Sequence, residues 1–430
     1  MTLKAYRVPP ATFAALAQGG GGEDGARCLL GAQCSKHLLL LHRVARLARS
    51  SAYGDAMRAY DRLAAVQAER PDAAAAVIQH PAVGAWARQA VDVLAAPDSA
   101  PAAELAWMPA LAAAASIHAG VPFRAEVAPV DGGVVLPSLG RAATATGNIR
   151  ATGDDVEVDG VPLPRDLSVE TTGWQSLRRL SATSAGKTIE LLIDDLDPYR
   201  APGMDNAGDR LPAAEAARWQ SILLQTWDLL VRRHINVADE MAIMIRVLTP
   251  LRPPLGGQVS ATSRDAFGAI FLSAPQDPVS LAVTMAHEVQ HAKLSALLDI
   301  VPMTLQDDGS RYYAPWREDP RPISGLLQGA YAFLGVAGFW LRQSRSADGA
   351  SALAEFARWR GAVRLVVDTL AESDRLTGPG RAFVSGMDQT IRRWDAEPVP
   401  GEALDAARQA SEEHWEGWRQ RNGELSLPVR

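Results

Sequence analysis

Residues 280–301 read SLAVTMAHEVQHAKLSALLDIV, and this stretch decides how the rest of the chain is understood. Its apolar residues recur at helical spacing, and Pro278 stands where a proline favours a first helical turn. A long helix is therefore expected from about residue 278. Inside it lie His287, Glu288 and His291, the HExxH pattern. Two imidazoles four residues apart sit about 40° from one another around a helix, so both can reach one cation at ~2.0–2.1 Å. Val283, Leu294 and Leu298 share the histidines' side, which sets the pair against a core. The plainer alternative is two core or surface histidines with no ion.

Working outward, AFGAIFLS at 266–273 reads as a strand just before this helix, and it is a candidate edge for an added peptide strand. MAIMIRVL at 241–248 reads as another, with Pro250, Pro253 and Pro254 marking a junction after it, and TIELLID at 188–194 as a third. Residues 213–232 have helical texture. From about 121 to 195 the chain is Val-rich, and VEV, Asp159-Gly160 and VPL predict a hairpin closed by a tight turn. Residues 26–118 form a helical block, with Leu38, Leu41, Val44, Ala45 and Leu47 at helical spacing and breaks at Pro71, Pro81 and Pro97. A Pro- and Arg-rich loop spans about 306–324, and three or four further helices fill 325–422. The glycine run at 19–22 is the one low-complexity segment.

This pattern predicts an α+β, predominantly helical protein, with the metal helix beside a small β-sheet in a zincin-like setting. Three segments are expected: an N-terminal helical block at 1–120, a β-rich middle with one helix at 121–275, and a C-terminal helical metal-binding domain at 276–430.

The chain has 430 residues, 47% of them hydrophobic and 21% charged, so a folded protein is expected rather than a disordered one. A net charge of −6 argues against a nucleic-acid coat. Cys28 and Cys34 are too few for a disulfide framework and read as packed thiols. Arg7, Pro9 and Pro10 interrupt any signal-like core, and the most apolar run, Leu105–Ile117, is shorter than the ~20 residues of a membrane span. A cytoplasmic protein with no membrane partner is expected.

A hydrolytic zinc site would use Glu288 as general base and needs a third protein ligand. Leu294 and Leu297 occupy the Gly and His places of the metzincin extension, and Lys293 stands where zincin signatures are apolar. The nearest downstream carboxylates are Glu318 and Asp319, with Glu355 and Glu372 on later helices. In the loop, Arg317 and Arg321 either brace a turn with Asp319 or clamp a carboxylate by a bidentate pair. Tyr312, Tyr313 and Trp316 either pack or wall a binding site, and Gln328 and Tyr331 share one side of the following helix. Asp194, Asp195 and Asp197 read either as a Mg²⁺ cluster or as a solvated strand end.

HEVQHAKLSALLDIVP at 287–302, YYAPWREDPRPISGLLQGAYAFLGVAGFW at 312–340 and CLLGAQCSKHLLLLHRV at 28–44 resemble the 2-oxoglutarate-dependent HExxH peptide β-hydroxylases. The likeness is strongest over 280–340. It implies an Fe(II) enzyme, with O2 and 2-oxoglutarate as cosubstrates, that hydroxylates a side-chain β-carbon of a ribosomally made precursor peptide, often alongside other peptide-maturation enzymes. By that analogy His287 and His291 bind iron, and Gln328 falls in the part of the pattern where a third ligand is sought, with Glu318, Asp319 or a more distant carboxylate as alternatives. Arg317 or Arg321 would hold the 2-oxo acid, Tyr313, Trp316 and Tyr331 would meet the peptide, and Glu288 would orient a ligand, bind substrate or relay a proton. The rivals are a zinc metallopeptidase with Glu288 as base and Glu355 or Glu372 completing the site, and a non-catalytic partner that holds a precursor peptide.

Overall fold

In the computed structural model, residues 6–48, 54–96, 102–254, 257–346 and 349–423 are described. Helices α1 (Pro10–Ala17), α2 (Gly22–Leu47), α3 (Gly54–Glu69), α4 (Pro71–Ile78), α5 (Pro81–Ala95), α6 (Ala102–Leu105) and α7 (Met108–His118) come first. Pro71 and Pro81 each open a helix, since a first-turn residue needs no amide donor. Pro97 lies outside the described residues. Cys28 and Cys34 are free, half-buried thiols on α2.

Strands β1 (Phe123–Glu126), β2 (Gly133–Leu136), β3 (Gly140–Ala143), β4 (Asn148–Thr152), β5 (Asp155–Val158), β6 (Val161–Pro162) and β7 (Trp174–Ser176) follow. They form two antiparallel sheets, ordered β1-β4-β5-β6 and β2-β3-β7. The hairpin expected at Asp159-Gly160 joins β5 to β6, with both turn residues at positive φ, 50° and 77°. That is the backbone twist a two-residue hairpin requires.

A third sheet carries the site. It contains β8 (Arg178–Ser184), β9 (Lys187–Ile193), β10 (Val247–Pro250), β11 (Ser260–Ala261) and β12 (Ala269–Leu272) in the order β11-β12-β10-β9-β8. The β9, β10 and β12 strands are parallel, and β8 and β11 flank them antiparallel. Between β9 and β10 run α8 (Ala213–Arg233) and α9 (Ile235–Met244). The strand expected at 241–248 is thus half helix: Met241 and Met244 are buried on α9, and extension begins only at Val247. A short apolar run has no period by which to separate the two states. AFGAIFLS contracts to β12, which pairs on both sides, so the free edge belongs to β11.

The HExxH helix, α10 (Pro278–Leu298), lies on this sheet, followed by α11 (Ile323–Gln343), α12 (Gly349–Glu372), α13 (Gly378–Trp394) and α14 (Gly401–Asn422). The molecule is α+β and predominantly helical. Its packing groups segments differently from their sequence texture. One core joins the far end of α2 and α3–α7 to β1–β5 and β7, around Trp86, Leu111 and Trp174. Another joins α1, the near end of α2, β8–β10, β12 and α8–α13. The β-rich middle therefore divides between two cores. Among the described residues, α11 is the one helix long and apolar enough to cross a membrane, and most of it is buried among its neighbours. The longest apolar helix is thus α11 rather than the 105–117 run.

Candidate metal centre

Asp277 fixes where α10 begins. Its carboxylate accepts the amides of Val279 (2.9 Å) and Ser280 (3.0 Å), while the Ser280 hydroxyl approaches the Asp277 amide. Such a cap contributes about 1 kcal/mol and starts the helix at one residue. Leu281, Met285, Val289, Ala292 and Ala296 enter the core, leaving His287 and His291 at the margin, where they are partly exposed.

The two Nε2 atoms lie 3.1 Å apart, with ring centroids 4.7 Å apart and planes at 75°. With metal–nitrogen bonds of ~2.0–2.1 Å this separation subtends roughly 100° at a shared ion, which suits tetrahedral and octahedral coordination alike. Burial, with His291 adding to it, lowers the His287 pKa to about 3, so its lone pair is free at ordinary pH. At the back of His291, Nδ1 meets Gln328 Oε1 at 3.1 Å, and the Gln328 amide group donates to Ser295 Oγ at 3.3 Å. An amide oxygen behind Nδ1 selects the tautomer that leaves Nε2 unprotonated. Gln328, expected as a third ligand, thus has its side-chain oxygen on Nδ1 of His291, on the side of the ring away from His287.

Glu288 is 1% exposed. Ser260 Oγ on β11 donates to its Oε1 at 2.7 Å, and that oxygen lies 4.0 Å from His287 Nε2. Its Oε2 is buried without a partner. Burial raises its pKa, opposed by His291 and by hydrogen bonds from Ser260 and Thr262. Beside the histidines runs an aromatic column: Trp316 stacks on Phe333 at 4.8 Å, Phe333 stacks on Trp359 at 4.3 Å, and Phe333 meets His287 edge-on at 4.9 Å. Trp316 can lie across α11 because residue 329 is glycine; a Cβ there would come within 2.4 Å of its indole nitrogen.

The other expected residues are engaged elsewhere. Arg317 Nε and Arg321 Nη1 donate to the two oxygens of Asp319 at 2.8 and 2.9 Å. Partial burial works against ionisation of Asp319, but the bonds from Arg321 and Arg317 prevail and hold its pKa low. Backbone bonds between Tyr312 and Arg321 close the same turn. The two arginines thus brace a loop instead of standing free as a clamp. Tyr313 points to the far side, its hydroxyl 2.8 Å from His414 Nδ1 and its ring against Trp415 and Trp418. It lines a cavity of about 580 Å³ with Arg358, Leu365, Arg408 and Trp415, which includes neither histidine. Tyr331 is fully buried and donates to the Leu16 carbonyl at 2.7 Å, so it belongs to the core and not to a peptide site. Glu355 accepts the Trp359 indole N–H at 2.8 Å, Glu318 faces Arg421 at 3.8 Å and Glu372 is exposed.

Lys293 has a different explanation from the one its motif position suggests. Its Nζ lies 2.8 Å from both oxygens of Glu240, and it donates to the Gly19 and Gly20 carbonyls at 3.3 and 3.0 Å. Gln290 also donates to Gly19, at 3.0 Å. The glycine run is the strap that the rear of α10 holds, with Gly19 at φ 82° and Gly21 at φ 118°.

Among the described residues, one group of His, Cys, Asp or Glu brings three donors together, and it lies elsewhere: His80, Asp194 and Asp197, all buried, can hold a metal ion. The aspartates after β9 are therefore not a solvated strand end. Asp195 faces another way, accepting the Leu211 amide at 2.9 Å and pairing with Arg210. Ser260, Thr262, Phe333, Trp359 and His80 were not singled out from sequence; each meets its site through partners at least 17 residues away, with no local spacing to mark it. Compared with models of known families and with curated protein sequences, the chain matches none.

Proposed function

We propose that this chain is a non-haem iron oxygenase that uses 2-oxoglutarate and O2 to hydroxylate a side-chain β-carbon of a ribosomally made precursor peptide. The observation that carries the reading is the 3.1 Å approach of two imidazole nitrogens, one backed by an amide. Neutral imidazoles suit Fe(II), and two of them leave room for a chelating 2-oxo acid. Bound iron would supply the coupling of 2-oxo acid decarboxylation to cleavage of an unactivated C–H bond.

In this reading the protein's residues bind, orient and exclude water. Phe333, flanked by Trp316 and Trp359, presents an apolar wall beside His287. The free side of β11 offers main-chain groups to an extended peptide next to Ser260 and Glu288. Glu288 holds or relays a proton near the ligands. A 2-oxo acid carboxylate reaching Arg317 or Arg321 would have to displace Asp319.

A second reading, a zinc metallopeptidase, is favoured by Glu288 itself, whose carboxyl is 4.0 Å from His287 Nε2 and shifted upward as a general base would be. One experiment separates the two. The protein is reconstituted anaerobically with Fe(II), then given O2, 2-oxoglutarate and a library of short candidate peptides, and the peptide masses are read. A gain of one oxygen atom with succinate formation, abolished by His287→Ala or His291→Ala, is the expected result. Cleavage restored by Zn(II) after chelation would establish the peptidase instead, and tight binding with no chemistry would make the chain a peptide-holding partner.

A further inference from the structure

We propose that His80, Asp194 and Asp197 form a second metal site, a structural one, that takes a divalent first-row transition ion and ties the N-terminal helices to the central sheet. Each residue comes from a different place: His80 from the junction of α4 and α5, Asp194 from the end of β9, and Asp197 from the turn beyond it. Their side chains are 3%, 1% and 1% exposed. Local structure uses one carboxylate oxygen of each aspartate and leaves the other. Asp194 Oδ1 accepts the amides of Leu196 (3.2 Å) and Asp197 (2.9 Å), and Asp197 Oδ1 accepts the Tyr199 amide (2.8 Å). The remaining atoms, Asp194 Oδ2, Asp197 Oδ2 and both ring nitrogens of His80, have no hydrogen-bond partner.

These unpartnered atoms converge. One donor atom from each residue lies within 4.8 Å of the other two, and His80 Nε2 is 3.6 Å from Asp194 Oδ2. That gap is too long for a hydrogen bond, yet ligands at ~2.0–2.2 Å around one ion stand roughly 3–4 Å apart. Two buried carboxylates facing one another need a compensating charge. The nearby arginines do not supply it by direct contact: Arg200 donates to the Asp197 and Gly208 carbonyls, and Arg246 donates to Gln79. A dication with two carboxylates and a neutral imidazole is charge-balanced, and this donor set suits Mn(II), Fe(II) or Zn(II). The Asp194 amide donates to the Leu248 carbonyl of β10 (3.0 Å), which fixes the end of β9 against that strand, and the buried Thr249 hydroxyl, one residue on, is also without a partner.

The test uses the full chain carrying His287→Ala and His291→Ala, so that the first centre cannot contribute and the two assignments fail separately. Elemental analysis after growth with Mn, Fe and Zn is expected to find about one ion per chain in this background, and little once Asp194→Asn and Asp197→Asn are added. After chelation, the thermal midpoint of the His287→Ala/His291→Ala protein should rise as Mn(II) or Zn(II) is titrated back. A metal-free His287→Ala/His291→Ala protein whose midpoint ignores Mn(II), Fe(II) and Zn(II) overturns the proposal, and leaves the triad to a proton or a buried water. This titration decides the matter even if the aspartate variants do not fold.

Discussion

Oε1 of Gln328 lies 3.1 Å from Nδ1 of His291, on the side of the ring opposite the nitrogen that faces His287. The amide thereby sets the tautomer and orientation of the imidazole. Groups in that position are worth about 10–100-fold in metal affinity. Gln328→Leu is expected to weaken Fe(II) and Zn(II) binding by this amount with the fold intact, measured by competition with a chromogenic chelator. An unchanged affinity would show that helix packing alone orients His291.

Glu288→Gln separates the two chemistries at the same centre. The amide keeps the size of the side chain and its acceptor for Ser260, but removes the proton-accepting oxygen. In the oxygenase reading, hydroxylation should persist within about tenfold. A general base, by contrast, contributes ~10²–10⁴-fold. Single-turnover assays on metal-loaded protein measure the difference, and a thousandfold loss with normal metal content would count against the oxygenase.

Lys293→Met leaves the Glu240 carboxylate buried without its cation, and is expected to destabilise the fold by about 3–5 kcal/mol. Adding Glu240→Leu removes the stranded charge. The double variant should then be more stable than Lys293→Met alone, although the Gly19 and Gly20 carbonyls still lose a donor at a cost of about 1–3 kcal/mol. Denaturant unfolding of the three variants tests the ordering.

His234 lies stacked on Phe339 with centroids 4.1 Å apart, and burial lowers its pKa to about 4. Between pH 6.5 and 4 the unfolded chain therefore binds a proton that the folded chain refuses. Stability associated with this residue is complete above pH 6.5 and declines as the pH falls toward 4. In His234→Phe that share of the acid sensitivity should vanish. The difference between the wild-type and variant stability curves should reach on the order of 3 kcal/mol over this range. Parallel curves from pH 7 to pH 4 would contradict it.

Much of the secondary structure was legible because helical periodicity and proline placement act over a few residues. Pro71, Pro81 and Pro278 each open a helix, and Asp159-Gly160 closes its hairpin. The bracing of Arg317 and Arg321 by Asp319 was legible as one of two alternatives, since all three fall within five residues. What stayed hidden depends on long-range closure. Nothing near residue 260 reveals that its hydroxyl meets Glu288, and nothing in the HExxH pattern explains Lys293 until Gly19, Gly20 and Glu240 arrive from distant segments. Position 328 was legible as a neighbour of the histidines, but which ring nitrogen its oxygen would meet was not.

The strap around Gly19–Gly20 also sets the order in which the molecule can be completed during synthesis. Residues near the start of the chain are held by the last-made part of its largest core: Thr390 on α13 donates to the Gln18 carbonyl at 3.1 Å, and Tyr331 donates to Leu16. The α3–α7 core, whose partners all lie before residue 200, can close while the ribosome is still translating. The core that holds α10 cannot. Until α13 has left the exit tunnel, the Leu16–Gly20 segment lacks its final contacts, so the core built around α10 closes after the α3–α7 core.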